Sequence, residues 1–375
     1  MSSSTTKTFH VGISGSYGGL NLGDEAILQS IIMQLRRSLR VEITVFSRDA
    51  EDTRLRHKVE RVVPVRELTR DEVLPEIEQL DLFILGGGGI LYDAEAKTYL
   101  REVELAQEKG VPVITYAIGA GPLDDPSTQT IVSDALNNAA VVTVRGRSDK
   151  KVLEEIGVHR EVIVTADPTW LLEPESIPQS ALRREHIDTK HRLVGISVRE
   201  PGVAAPDIDP DFYHGLLANA TDFMIERFDA NVVFVPMEGL KLDVQHSHAV
   251  LAKMLHPQQA WVLKGTYTSG QLLKLIERFD FAVGMRLHFL IFAALQGVPF
   301  VALPYSEKVG GLLDDLCVAM PPMELVNAGR LLAHIDLSWD KRGSLRRRIE
   351  RFLPRLKERA LVNNTIVVDL LKKES

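Results

Sequence analysis

The chain of 375 residues holds one cysteine, Cys317, so no internal disulfide can form and the protein fits a reducing compartment such as the cytoplasm. Cys317 ends the run Leu312-Leu313-Asp314-Asp315-Leu316-Cys317, which predicts burial on a helix rather than catalysis. Long apolar runs are also missing. The longest, residues 289–303, is interrupted by Gln296, Gly297 and Pro299, so no membrane span is expected. Residues 1–7 lack the apolar core of a secretory signal and read as a frayed terminus. There is no excess of positive charge: 44 Lys and Arg stand against 51 Asp and Glu, a formal charge of −7 that argues against a general nucleic-acid binder. Only residues 341–359 concentrate basic side chains, and their plain reading is a solvated helix face. Neither the dinucleotide spacing G-x-G-x-x-G nor the Lys-Ser/Thr of a P-loop occurs, so NAD and ATP are not the default ligands. His246 and His248, spaced i, i+2, point to different helix faces, and no set of residues has metal-ligand spacing. Neither metal nor cofactor is expected.

What is present is ordinary in bulk, 45% hydrophobic and 25% charged, and long enough for two domains. Short β-rich runs at 9–14, 41–46, 61–65, 82–85, 113–117, 141–144 and 161–165 alternate with amphipathic patterns at 25–38, 94–109, 126–138 and 150–156. Such alternation predicts a parallel sheet with helices on both faces. Residues 173–192, with Pro174, Pro178 and many charges, break the rhythm and mark a boundary. Strands at 193–198, 232–235, 261–263, 281–283 and 300–303 then alternate with helices at 211–227, 243–255 and 269–279. Each half places an Asp-started strand and a glycine turn ahead of Gly-Val-Pro, at 110–112 and again at 297–299. The expected fold class is therefore α/β, with two Rossmann-like doubly wound domains, 1–178 and 179–345, facing across a cleft. A last helix, residues 346–375, is expected to pack back on the first domain, with Pro354 kinking or dividing it.

In doubly wound sheets the loops after the strands form the ligand crevice. Those loops hold residues 15–24, 86–89, 119–121, Arg145 and Asp167-Pro168 in the first half. In the second they hold Arg199 and residues 236–238, 265–266, 286–288 and 304–308. The turn carrying Gly15, Asn21 and Gly23 offers backbone N–H groups to an anion or a sugar hydroxyl. Asp24 either caps the following helix or exchanges a proton with a sugar hydroxyl. Four successive glycines, Gly86 to Gly89, suggest a turn where Gly87, Gly88 and Gly89 let a ligand approach the backbone. The sharpest feature is Gly284-Met285-Arg286-Leu287-His288, which places a guanidinium and an imidazole where a strand runs into a helix. Arg286 suits a carboxylate or phosphate, and His288 can move a proton. The plain alternative pairs Arg286 with an acid and packs His288 in the core.

Asn21-x-Gly23-Asp24-Glu25-Ala26, the Gly86 to Gly89 run, Arg145 with Ser148, Ala166-Asp167-Pro168 and Gly284 to His288, in this order over nearly the whole chain, resemble the polysaccharide pyruvyl transferase family. The likeness leans toward the bacterial cell-wall enzymes that ketalise a secondary cell-wall polymer for S-layer attachment. The resemblance implies a fold similar to GT-B glycosyltransferases. It also implies transfer of the pyruvyl unit of phosphoenolpyruvate onto two sugar hydroxyls as a cyclic ketal, with release of phosphate. It implies that Arg286, Leu287 and His288 meet phosphoenolpyruvate and that Arg145 helps bind it. The acceptor it implies is an N-acetylhexosamine on a lipid-diphosphate-linked glycan, which would bring the enzyme to the inner face of the membrane.

The chemistry agrees with the residue types. A donor bearing a carboxylate and a phosphate needs at least two cations, met by Arg286 and Arg145 with Arg199 as a third candidate. Protonation of its methylene carbon makes an oxocarbenium-like centre open to a hydroxyl, so an acid and a base are needed: His288 is the proton-transfer candidate and Asp24 the weaker partner. Two rivals remain, a GT-B glycosyltransferase using a nucleotide sugar and a non-catalytic glycan- or anion-binding protein.

Overall fold

The computed structural model describes residues 7–185, 187, 190–199, 209–238, 242–303, 307–318 and 327–373. The chain forms two compact units, Met1–Leu172 with Lys357–Ser375, and Glu173–Leu356.

The first unit begins β1 (Phe9–Ser14), α1 (Leu22–Ser38), β2 (Val41–Ser47), α2 (Ala50–Arg56), β3 (Arg61–Pro64), α3 (Arg70–Ile77) and β4 (Leu82–Leu85). It continues with β5 (Gly88–Leu91), α4 (Ala96–Glu108), β6 (Val113–Thr115), β7 (Ile118–Ala120), α5 (Pro126–Asn137), β8 (Val142–Val144), α6 (Arg147–Glu155) and β9 (Val162–Val164). The second unit holds α7 (Gln179–Arg184), β10 (Arg192–Ser197), α8 (Pro210–Phe228), β11 (Ala230–Phe234), α9 (Leu242–Leu251), β12 (Ala260–Val262) and α10 (Ser269–Ile276). It is completed by β13 (Phe281–Gly284), α11 (Leu287–Leu295), β14 (Phe300–Ala302), α12 (Glu307–Asp315) and α13 (Ala328–Asp340). A final helix, α14 (Arg342–Lys373), runs from the second unit's residues into the first unit's.

All the sheets are parallel: β3-β2-β1-β4-β6 and β5-β7-β8-β9 in the first unit, β12-β11-β10-β13-β14 in the second. The two five-stranded sheets share one doubly wound order, with the first strand of each unit central and the strand order, not the strand direction, reversing beside it. Strands such as Leu82–Leu85 and Phe281–Gly284 are buried at every position because helices cover both faces, which is why they read as continuous apolar runs. Helix starts follow local chemistry: Asp125 ahead of Pro126 accepts the Thr128 N–H at 2.9 Å, and Asp209 ahead of Pro210 accepts that of Phe212 at 2.8 Å.

Several expectations need correcting. The four-glycine run is not a turn into a helix. β4 stops at Leu85, the chain steps through Gly86 and Gly87, and Gly88 opens a new strand in the second sheet. β6 breaks beside it at Tyr116 and Ala117, the latter at φ +53°. A side chain on Gly87 would meet the Tyr116 carbonyl at 3.0 Å, so close backbone approach between the two breaks accounts for that glycine. Residues 173–192, read as a boundary, also carry α7. Cys317 is exposed, just past the end of α12 at φ +52°, because the helix stops two residues before it. Pro354 does not divide α14, which is continuous over 32 residues.

The last half of α14 is part of the first unit's core. Val367 and Leu371 join the apolar cluster around β1. Fully buried Asn363 accepts the hydroxyls of Thr143 at 2.7 Å and Thr165 at 2.9 Å and donates to the Ala166 carbonyl at 3.3 Å, so a polar side chain buried at the sheet is fully engaged.

Candidate active site

At the first unit's strand ends, Asn21 is the residue that caps α1, accepting the Gly23 N–H at 2.9 Å. Asp24 therefore does not carry the cap. It sits in the first turn, half-buried, with Oδ1 3.3 Å from where a side chain on Gly88 would begin. Gly15 is buried under the ring of Tyr17, and Gly86 lies against that ring's hydroxyl: a Cβ would stand 2.7 Å from the ring at Gly15 and 1.9 Å from Oη at Gly86. Two of the glycines thus make room for an aromatic ring, and Gly88 and Gly89 open a strand. Tyr17 is wholly buried, and its hydroxyl has no hydrogen-bond partner among the described residues. Burial first, then the charges of Asp24, Glu25 and Asp167, push its ionisation well above the usual range, so the hydroxyl keeps its proton. The loop is anchored from below by Glu25, which accepts the Gly18 N–H at 2.9 Å and meets His57 Nε2 at 2.7 Å.

Arg145 follows β8 directly. Its guanidinium lies flat over Gly119, where a Cβ would be 2.7 Å from Nη2, and it pairs with buried Asp167 at 3.4 Å. Asp167 in turn accepts the Thr169 N–H at 3.0 Å. Gly146 then starts α6 with no side-chain cap.

In the second unit, the loops after β10, β11 and β13 adjoin because these strands are neighbours in the sheet. Arg286 is the N-cap residue of α11, and its side chain, a pure donor, supplies no cap to the first-turn N–H groups. Leu287 and His288 are the first two helical residues, both half-buried, with His288 Nε2 shielded from solvent. The Tyr213 hydroxyl lies between the Arg199 carbonyl, at 2.9 Å, and the Met285 sulfur, tying the loop after β10 to that after β13. Arg286 is buried and held by two acids. Asp243 takes Nε at 3.1 Å and also Nη2, and Glu238 takes the same Nη2 at 2.5 Å. Burial raises the Asp243 carboxyl above its ordinary range, with Arg286 opposing the shift.

Gly15, Asn21, Gly23, Asp24, Gly87, Gly88, Gly89 and Arg145 thus share the first unit's edge, and Arg199, Arg286, Leu287 and His288 the second's. Of residues 304–308, positions 304–306 lie outside the described residues. Sequence reasoning overlooked Tyr17, whose lone aromatic ring among glycines was the available signal, and Asp243, which read as a helix-start acid. It also overlooked the contact of His214 Nε2 with His246 Nδ1, at 2.8 Å between α8 and α9. Among the described residues, no group of three or more His, Cys, Asp or Glu is arranged to hold a metal ion. No helix there is long and apolar enough to cross a membrane.

Solved structures share this architecture. UDP-GlcNAc 2-epimerase from Methanocaldococcus jannaschii aligns at TM-score 0.65 and 12% identity, covering 89% of this chain and 93% of that one. The Neisseria meningitidis UDP-GlcNAc 2-epimerase, bound to UDP-GlcNAc, aligns at 0.62 and 11%, covering 98% and 100%. Anabaena HepE, in complex with UDP and glucose, aligns at 0.61 and 14%, covering 97% and 99%. At such identities the likeness speaks of fold, and the fold is of the GT-B class, built from two Rossmann-like units. No curated protein matches the sequence. The sequence of residues 21–307 matches the polysaccharide pyruvyl transferase family, and the chain belongs to that family. It is accordingly a transferase of polysaccharide biosynthesis.

Proposed function

We propose that the protein moves the pyruvyl group of phosphoenolpyruvate onto two hydroxyls of a cell-wall or exopolysaccharide sugar. One observation carries this reading: in each unit an arginine follows a parallel strand and precedes a nine-residue helix whose first turn lacks a side-chain cap, Arg145 before α6 and Arg286 before α11. Helix-start N–H groups beside a guanidinium suit a phosphate or a carboxylate. Family membership supplies the reaction class.

Arg286 and Arg145 bind the donor in this scheme, with Arg199 as a third cation, and Leu287 offers its first-turn backbone. A proton added to the donor's methylene carbon makes the methyl group. One sugar hydroxyl then bonds to the oxocarbenium-like carbon, and a second displaces phosphate. Two C–O bonds form, the C–O bond to phosphate breaks, and the hydroxyl protons leave to a base. His288 is the proton-transfer residue and Asp24 its partner, a role worth roughly 10²–10⁴-fold. The acceptor is an N-acetylhexosamine on a lipid-diphosphate-linked precursor of a secondary cell-wall polymer used for S-layer anchoring, met at the cytoplasmic face of the membrane. No metal or cofactor enters this scheme.

The test is incubation with phosphoenolpyruvate and a panel of glycosides. A mass gain of one pyruvyl ketal, with phosphate release only when acceptor is present, supports the reading. Turnover of a nucleotide sugar with release of nucleoside diphosphate, and none of phosphoenolpyruvate, overturns it.

A further inference from the structure

We propose that Glu238 holds the place on Arg286 that an anionic group of the donor takes, and that Asp243 is the positioning residue that keeps the guanidinium aimed. This deepens the reading above and rests on it.

Among the described residues two carboxylates meet Arg286, and their surroundings give them different parts. The Asp243 side chain is wholly buried, and its Oδ2 accepts the backbone N–H groups of Met237 at 3.0 Å and Glu238 at 3.1 Å besides Arg286 Nε. Moving it would strand two backbone donors and a buried cation, so it stays. The Glu238 side chain is 37% exposed and reaches the arginine only through Nη2, which Asp243 already engages. It can turn into water and lose one charge-assisted bond.

The electrostatics favour that exchange. Two carboxylates against one guanidinium leave the trio at a net charge of −1, which repels an incoming anion. Once Glu238 swings out, Asp243 and Arg286 balance, and Nη2 presents a donor beside the uncapped start of α11. A ligand must bring more than Glu238 offers to displace it. A multiply charged molecule bearing phosphate and carboxylate does so, and a simple monoanion does not. Glu238 is thereby a specificity-determining residue, and Asp243 fixes the direction of the guanidinium fork whichever anion is on it.

The experiment compares wild type, Glu238→Gln and Asp243→Asn. Steady-state kinetics with phosphoenolpyruvate and an accepted glycoside are joined by calorimetric titration with inorganic phosphate, thermal melting serving as the folding control. For Glu238→Gln, kcat/KM for phosphoenolpyruvate should rise about tenfold through KM, and inorganic phosphate should bind at least about threefold tighter, the competing charge-assisted contact being gone. For Asp243→Asn, KM should rise at least about tenfold, and the acid limb of kcat/KM should shift or vanish, a change that loss of packing alone would not make. An unchanged or raised KM in Glu238→Gln, in a wild type that turns over phosphoenolpyruvate, overturns the exchange while leaving the function standing. Tighter phosphate binding by Glu238→Gln in a protein that never uses phosphoenolpyruvate overturns the function and leaves the exchange standing. Should Asp243→Asn melt early, the Glu238→Gln results alone decide.

Discussion

Replacing Gly86 by alanine puts a methyl group 1.9 Å from the Tyr17 hydroxyl oxygen, 2.9 Å from the ring carbon bearing it and 3.1 Å from the Ser14 carbonyl. The ring cannot slide away. It is wholly buried, its backbone carbonyl accepts the Arg48 N–H at 3.0 Å, and the next residue, Gly18, at φ +71°, is gripped by Glu25. Overpacking of this kind costs about 3 kcal/mol. In a Tyr17→Phe background the nearest contact relaxes from 1.9 to 2.9 Å. The same alanine should then cost ~1–2 kcal/mol, a coupling of ~1–2 kcal/mol between the sites. Tyr17→Phe alone removes a buried hydroxyl with no partner among the described residues, so it should be neutral or stabilise by up to about 1 kcal/mol. The assay is equilibrium urea unfolding followed by Trp170, which lies in the first unit, after Trp261 and Trp339 are replaced by phenylalanine in every variant. Additive costs within about 0.5 kcal/mol would show that Tyr17 does not make position 86 a glycine. A loss above about 1 kcal/mol in Tyr17→Phe would show that the hydroxyl is satisfied.

Arg286→Ala should raise KM for phosphoenolpyruvate at least about tenfold, and Arg286→Lys should recover only part of that, because a point charge cannot hold Asp243 through two nitrogens and a ligand besides; donor kinetics like wild type would remove Arg286 from the site. His288→Ala should fold normally and lose at least about tenfold in kcat, whereas a binding protein without turnover would bind glycan as before. Burial, then the neighbouring His246 and Lys253, lower the pKa of His214, so the unfolded chain takes up this proton first. Stability should be full above the ordinary histidine value of about 6.5 and fall as pH drops through the window below it. Melting temperatures from pH 8 to 5 should show that slope in wild type and a shallower one in His214→Gln; equal slopes would acquit His214.

The fold was legible where both faces of a strand are covered, because such strands are unbroken apolar runs whatever their partners. Leu82–Leu85 was located to the residue for that reason. β5 and β7 were not. Glycines at the start of one and within the other read locally as a turn and a loop, and only pairing with neighbouring strands makes them extended. The strand-to-helix arginines were legible because a charged residue punctuates an apolar pattern. Their partners were harder. Asp243 is 43 residues from Arg286, on a helix whose first turn would favour an acid in any case.

Those partners change what the arginines can do. Arg145 and Arg286 each lie against a buried aspartate, Asp167 and Asp243, and each aspartate is itself pinned by backbone N–H groups. An arginine left alone on a flexible stem would lose rotamer freedom on binding, and that loss subtracts from affinity. Here the ordering is done during folding, and the guanidinium waits in one orientation. The aspartate also gives each guanidinium a buried counter-charge, so the protein need not bury an unpaired cation. Under the proposed function the consequence at Arg286 is a division of labour: attraction for the donor comes from the start of α11 and the outer edge of the guanidinium, and selectivity from whatever competes for that edge. At Arg286 the competitor is visible in Glu238, which makes the acid five residues ahead of Asp243, more than the aspartate itself, the side chain through which donor affinity can be tuned.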